Sequence, residues 1–384
     1  MQHRRINIIV ILIFVLLIVV PLLCTNTKKG YISGFDNRAL AEDPFTVKKQ
    51  GGGFSGAAED YLMDRIGFRR AMIDAYVTIN DKVWGILAHP MYMYGQDKNE
   101  IFFTGDTFQY DDYGFLDRFA DLTTELQNYC KDKGIAFVFQ YEPDKSAIRT
   151  DLLPKGLNYD TSWVDYLFKD LDERGVTYVN NTGMLKELDA SGADVYNHKY
   201  DAGHFNDNAA YYSVNAALQA LQAQNPAVHV NDPSEIAFET TVEHKLKQSD
   251  YVIDETVPKN GYHGEWMTNI SSDYEGTMYV SPKWPAIESY TNSVRTAEGA
   301  PTALVFGGSH IEYEYKYLQN SFSQYSRICN YYNVLNYDYY IEKFQPDVVI
   351  FEVSQRTINE DYFPLDERED LRAEIEAFEA ARQK

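Results

Sequence analysis

Two short motifs in this sequence carry side chains that together can perform nucleophilic chemistry: Asp201-Ala202-Gly203-His204 and, much later in the chain, Gly307-Gly308-Ser309. The second follows an apolar run over 302–306 and precedes a segment able to start a helix, a strand-to-turn transition that would expose a hydroxyl at the carboxyl edge of a sheet. Its glycines permit a tight turn and bring backbone N–H groups close to a developing oxyanion. In the first motif, a carboxylate on the same loop as a histidine can hold the Nδ1–H, leaving Nε2 to take a proton from a serine hydroxyl. A lone loop histidine or a Gly-Gly-Ser tripeptide is ordinarily structural. Their joint occurrence points to Ser309 as nucleophile, His204 as base and Asp201 as the orienting carboxylate. The acid-base pair precedes the serine, the reverse of the order usual in three-layer serine hydrolases.

The elements that must position these residues are those of an α/β fold with a largely parallel sheet. From Pro90 onward, short apolar runs alternate with helical periods. Strands are predicted over 135–141, 176–180, 302–307 and 347–353, several apolar throughout, as strands covered by helices on both faces require. Phe115, Phe119, Leu122, Leu126 and Tyr129 share one helical face, and Tyr211, Val214, Leu218 and Leu221 another. His204 lies in a loop before the second of these helices, with Asn206 placed to cap it. A helix with a break at Gly67 is predicted over 57–84. Residues 225–300 interrupt the rhythm and read as an inserted β-rich subdomain, whose Tyr262, Trp266, Tyr274 and Trp284 suit packing better than the stacking of sugar rings.

At 384 residues and 45% hydrophobic side chains, the chain can bury at least one large core. Residues 6–24 are uncharged and almost wholly apolar, preceded by Arg4 and Arg5 and followed by Lys28 and Lys29, long enough to cross a bilayer with the amino terminus in the cytoplasm. The run lacks a small-residue cleavage pattern, so it reads as an uncleaved signal anchor, and Leu23 stands where a lipoprotein signal at Cys24 would need a small residue. The net charge is −22 and all 57 acidic residues lie beyond the apolar run, a distribution that repels nucleic acid and suits a solvated outer surface. The three cysteines do not form a disulfide framework; only Cys130 and Cys329 are candidates to pair, and spacing leaves that open. His198, Asp201 and His204 are the rival metal ligands, but no HExxH or cysteine cluster accompanies them, so no metal is expected. Nor does any phosphate-cradling or dinucleotide-binding glycine pattern call for a cofactor.

The sequence resembles the AlgJ/AlgX-like and DHHW-type group of SGNH-hydrolase-like proteins through collinear segments between Asp36 and Pro364. Asp36-Asn37-Arg38-Ala39-Leu40 is similar to the group's E-N-R-x-L, and 61–69 to its Y-x-x-D-x-F-P-F-R. Residues 94–103 resemble its G-x-D-G-W-L-F hairpin, and Glu142-Pro143-Asp144-Lys145 with Leu153-Pro154 its P-x-K…Y-L-P. Residues 201–212 are similar to D-x-H-W-(T/N)-x-x-G-A-Y, 306–309 to G-(D/T)-S, and 346–356 to P-D-V-V-x-x-E-x-x-E-R. The chain departs from the pattern in having two residues between Asp201 and His204, Phe205 for Trp, and Gly308 for Asp or Thr.

The resemblance implies a circularly permuted SGNH-hydrolase-like three-layer fold, and O-acetylation of an exported or cell-surface polysaccharide beside a membrane-bound O-acyltransferase that supplies the acyl group. In that setting Ser309 would carry the acyl group, Gly308 would help form the oxyanion hole, and Arg356 would bind a carboxylate or sugar at the rim. Its alternative is a salt bridge capping the last core strand. An acetylesterase of the same fold, or a non-catalytic glycan-binding scaffold, are the competing functions. The expected organisation is a cytoplasmic tail (1–5), a transmembrane anchor (6–24), a stalk (25–56) and an extracytoplasmic domain (57–384).

Overall fold

The computed structural model describes residues 2–30, 32–33, 38–45, 53–249, 251–262 and 266–383. Asp36 and Asn37, noted above, lie outside the described residues. The chain divides into two compact units, Met1–His89 and Pro90–Lys384.

The first unit opens with helix α1 (Gln2–Leu23), whose apolar window Ile6–Leu23 is long enough to span a bilayer. Helices α2 (Gly53–Arg65) and α3 (Arg69–Ile79) follow. They part at the predicted break, where Phe68 takes a left-handed conformation (φ 61°). Gly67 is required there: a Cβ would come within 2.4 Å of Cβ of Cys24, and its N–H donates to the carbonyl of Pro21 at 3.0 Å.

The second unit is a three-layer α/β/α structure. Its elements are helix α4 (Tyr113–Asp132), strand β1 (Ala136–Glu142), helix α5 (Ser162–Glu173), strand β2 (Tyr178–Asn180) and helix α6 (Asp207–Gln222). A hairpin, β3 (Thr240–Lys245) and β4 (Val252–Pro258), leads to strands β5 (Met267–Asn269) and β6 (Ile287–Asn292). Strand β7 (Thr302–Gly307), helix α7 (Ile311–Ser321), strand β8 (Gln324–Cys329), helix α8 (Tyr337–Phe344) and strand β9 (Val348–Ser354) follow, and helix α9 (Arg368–Arg382) closes the chain.

The seven-stranded central sheet runs β5-β6-β8-β7-β9-β1-β2. It is parallel from β8 to β2, while β6 pairs antiparallel with β8 and β5 with β6. Strand β9 lies inside, with Phe351 opposite Phe306 on β7 and Phe139 on β1. Alternate residues of the buried strands feed two cores: Phe139, Phe306 and Phe351 face α4, α5 and α8, whereas Val138, Val305 and Ile350 face α6 and α7.

All four predicted strands are present, each within two residues of its expected bounds. Strand β8 escapes the apolar criterion because Gln324, Ser326 and Arg327 interrupt it; its neighbours on both sides bury it all the same. The segment 225–300 supplies β5 and β6 to the central sheet as well as the β3–β4 hairpin. Its aromatics pack within the protein, Trp284 against Tyr331 and Tyr362 and Tyr274 against Phe344. Cys130 and Cys329 are separate, buried free thiols rather than a disulfide.

Phe119 of α4 packs on Phe139, Phe351 and Phe363 at centroid distances of 6.1, 5.9 and 5.2 Å. Removing the central ring of this group leaves a void that close-packed neighbours cannot fill. Phe119→Ala is expected to destabilise the second unit by about 3–5 kcal/mol, read as a lowered urea midpoint of the detergent-solubilised chain; a midpoint equal to that of the parent would show the ring to be dispensable.

Candidate active site

Three parallel strands deliver side chains to one edge of the sheet. Strand β7 ends at Gly307 and presents Ser309, β1 runs into Asp144, and β9 into Arg356 on a 3₁₀ turn (Gln355–Thr357). This is the carboxyl edge, where α/β sheets place ligand-binding groups. The fourth contribution comes from the loop before α6, whose Asn206 accepts hydrogen bonds from the N–H groups of Asn208 (3.0 Å) and Ala209 (3.2 Å). That cap fixes the end of the loop carrying Asp201 and His204.

The structure brings the predicted three together. His204 Nε2 lies 2.9 Å from Ser309 Oγ, and His204 Nδ1 lies 2.8 Å from Asp201 Oδ1. A carboxylate oxygen can only accept, so Nδ1 carries the hydrogen and Nε2 offers its lone pair to the serine hydroxyl. The two-residue spacer is accommodated because Asp201 adopts a left-handed conformation (φ 45°) and the loop turns back, His204 N–H reaching the Asp201 carbonyl at 3.3 Å. Aspartate tolerates that region better than most residues. Phe205, at the position of the group's Trp, is buried against His310 and Tyr196.

The second oxygen of Asp201 is held by residues that carry no sequence signal. Lys247, in the β3–β4 turn, donates to Oδ2 at 2.6 Å and to Glu312 at 2.9 Å, and the Tyr313 hydroxyl donates to Oδ2 as well. Lys247 and Tyr313 belong to segments read only as insert and helix, and no spacing rule links them to Asp201.

Arg356 forms the salt bridge named as its alternative role and also reaches the serine. Its side chain is buried, ion-paired to Asp144 at 3.4 Å, 5.4 Å from the centroid of the Phe103 ring, and its Nη2 approaches Ser309 Oγ at 3.4 Å. Gly308 also departs from expectation, because its N–H donates to the buried Glu352 carboxylate at 2.5 Å instead of pointing to an oxyanion position. A Cβ at 308 would lie 2.8 Å from the Tyr331 hydroxyl, so a side chain there would have to displace the tyrosine. Its carbonyl accepts from Arg327 at 2.8 Å, so the elbow is held from both sides.

Burial would raise the Asp201 carboxyl, but His204 and Lys247 hold it well below the usual range. Burial lowers the His204 imidazole; Asp201 opposes the shift, and the cations Arg356 and Lys247 add to it. Beneath the elbow, burial raises Glu142, Glu314 and Glu352; Glu352 adds to the shift of Glu142 and both add to that of Glu314, whereas the Gly308 N–H, Arg327 and Arg356 oppose the shift of Glu352, and Gln140 bridges Glu142 (2.7 Å) and Glu314 (2.8 Å). His310, next to the serine, is wholly buried and held neutral by desolvation.

Among the described residues no three His, Cys, Asp or Glu side chains converge on a metal position. His198, the rival ligand, is bonded to Glu100 and faces Arg149. The arrangement can activate a hydroxyl for attack on an acyl carbon, with a cation beside the attacking oxygen.

No protein-family model and no curated protein matches the chain. Among solved structures, Bacillus cereus PatB1 aligns with a TM-score of 0.53 at 14% identity, covering 70% of this chain and 97% of PatB1. A second PatB1 structure, with a sulfonyl adduct, gives 0.54 at 14% identity, covering 69% and 96%. The O-acetyltransferase domain of Pseudomonas putida AlgJ gives 0.50 at 13% identity, covering 74% of this chain and all of that domain. At such identities the likeness is one of fold, and it takes in a mixed α/β architecture with a largely parallel sheet.

The charges around His204 set the sign of a titration. Asp201 favours the imidazolium, whereas Arg356, Lys247 and burial disfavour it. In nitrogen-15 NMR the His204 ring should titrate below the ordinary 6.5, and Lys247→Met should move the midpoint upward by removing one cation. A midpoint in the variant at or below that of the parent would show that Lys247 does not act on His204 electrostatically.

Proposed function

We propose that this protein is a membrane-anchored, extracytoplasmic O-acetyltransferase that modifies a cell-surface or secreted polysaccharide through an acyl-enzyme on Ser309. The observation that carries the reading is the unbroken relay Ser309 Oγ–His204 Nε2 (2.9 Å) and His204 Nδ1–Asp201 Oδ1 (2.8 Å). A scaffold with a degraded triad has no need of that geometry. The fold shared with the AlgJ O-acetyltransferase domain supports acyl transfer, as does the collinear resemblance noted in the sequence. A permuted core, with His204 preceding Ser309, belongs to the same reading.

In the first half-reaction, His204 Nε2 takes the Ser309 proton as Oγ attacks the acetyl carbonyl. Arg356 Nη2 and the Ser309 N–H are the donors proposed for the tetrahedral oxyanion, Gly308 N–H being occupied by Glu352. The intermediate collapses, the donor alcohol leaves with the proton from His204, and the acetyl ester stays on Oγ. In the second half, His204 deprotonates a glycan hydroxyl, which attacks the ester carbonyl; collapse returns the proton to Oγ. The domain is tethered by residues 6–24, with residues 1–5 inside the cell, 25–56 as a stalk and 57–384 outside. A membrane-bound O-acyltransferase would supply the acetyl group across the bilayer.

Hydrolysis uses the same three residues with water as acceptor, so the test must offer both acceptors. With a chromogenic acetyl ester, the solubilised protein should release chromophore, and Ser309→Ala should lower the rate by a factor on the order of 10⁴. Added oligosaccharide should leave as the acetylated sugar, detected by mass. Turnover without acetylated sugar for any acceptor would make the protein an esterase, and undiminished turnover in Ser309→Ala would remove the serine from the mechanism.

A further inference from the structure

The first unit holds an apolar surface that neither its own core nor the proposed reaction uses. Helix α3 continues through a widened turn, Asn80–Trp84, and along it Met72, Tyr76, Ile79 and Val83 follow one another at spacings of four, three and four. At about 100° per residue these four fall within an arc of about 60°, with Arg70, Asp74 and Asp81 opposite. All four, together with Trp84, are between 41% and 66% exposed, so the stripe is bare. An amphipathic helix that leaves its apolar face uncovered has a partner outside its own unit.

The place of this helix relative to α1 identifies the partner. The elbow between α2 and α3 is fastened to the last turn of α1 and to the chain that leaves it. Gly67 N–H donates to the Pro21 carbonyl (3.0 Å), Asn26 N–H to the Arg65 carbonyl (2.8 Å), and the buried Arg65 guanidinium to the carbonyls of Asn26 (3.1 Å) and Lys28 (2.7 Å). Gly67 meets Cys24 so closely that no side chain fits between them. Helix α3 therefore starts at the level where the apolar run of α1 ends, which is the membrane–water interface if α1 crosses the bilayer. Helix α3 does not pack along α1. Tyr76 and Trp84 are residues enriched at that depth, and Lys82, beside the stripe, supplies a cation toward headgroups.

We propose that α3 lies in the outer interface of the bilayer that α1 crosses, with Met72, Tyr76, Ile79 and Val83 seated among the lipids. The membrane is then held at two places, the span and a surface helix locked to its end by Arg65. This inference rests on α1 being the anchor.

The full chain, with Cys24→Ser to leave only the buried thiols, is labelled with an environment-sensitive fluorophore at Val83→Cys, at Tyr76→Cys, or at Asp74→Cys on the opposite face. It is reconstituted into phosphatidylethanolamine–phosphatidylglycerol vesicles with and without a lipid carrying a nitroxide near its headgroup. The labels at 83 and 76 should emit to the blue of that at 74 and be quenched several-fold more by the nitroxide. Equal, water-like emission at all three positions would overturn the proposal. So would blue-shifted emission at 83 and 76 that the lipid nitroxide does not quench, the signature of a protein partner or a second copy. Alkaline extraction of the same vesicles separates this failure from that of the anchor: a chain that stays with the membrane while its labels face water loses only the surface helix, whereas a chain that is extracted loses the span.

Discussion

The whole site turns on one buried carboxylate. Asp201 is 2% exposed and ionised, and removing such a group from water costs several kcal/mol, roughly, unless its lone pairs are met by donors. Three are supplied from three elements: His204 from the same loop, Lys247 from the hairpin, and Tyr313 from α7. Satisfying Asp201 thus requires that loop, hairpin and helix all be in register. Once they are, the imidazole is held in the one tautomer that leaves Nε2 facing Ser309. The stability of the folded loop and the readiness of the base have the same cause.

How much of this was legible in the sequence depended on whether a residue's neighbour in space was also near it in the chain or on a regular period. Ser309 was visible because an apolar strand and two glycines announce the turn that presents it. Asp201 and His204 were visible because they are three residues apart. The helix break was visible at Gly67, though not its reason, a contact with Cys24 over forty residues away in the chain. Lys247 and Tyr313 were not, since their link to Asp201 exists only after the hairpin folds over the loop. Strand β8 was missed because its burial is imposed by β6 and β7, not by its own composition. The role of Arg356 was half legible: its position after the last strand was evident, but a surface arginine and one stacked on Phe103 beside the serine read alike until β1 and β9 are aligned.

Below the serine elbow the protein keeps three carboxyl groups fully buried. Glu352 accepts the Gly308 N–H, while Glu142 and Glu314 share Gln140. Burial disfavours charge on all of them, so the cluster retains protons where isolated glutamates would not. The acids and the cationic pair of Arg327 and Arg356 lie on either side of the elbow, and the backbone carrying the nucleophile is fixed between them.

Gly308 and Tyr331 occupy what is in effect a single volume, the phenol hydroxyl filling the space into which a Cβ would project. A side chain introduced at 308 therefore has to displace the phenol, or be accompanied by a smaller residue at 331. The two positions are coupled, so that the effect of changing one depends on what stands at the other and the two changes do not add.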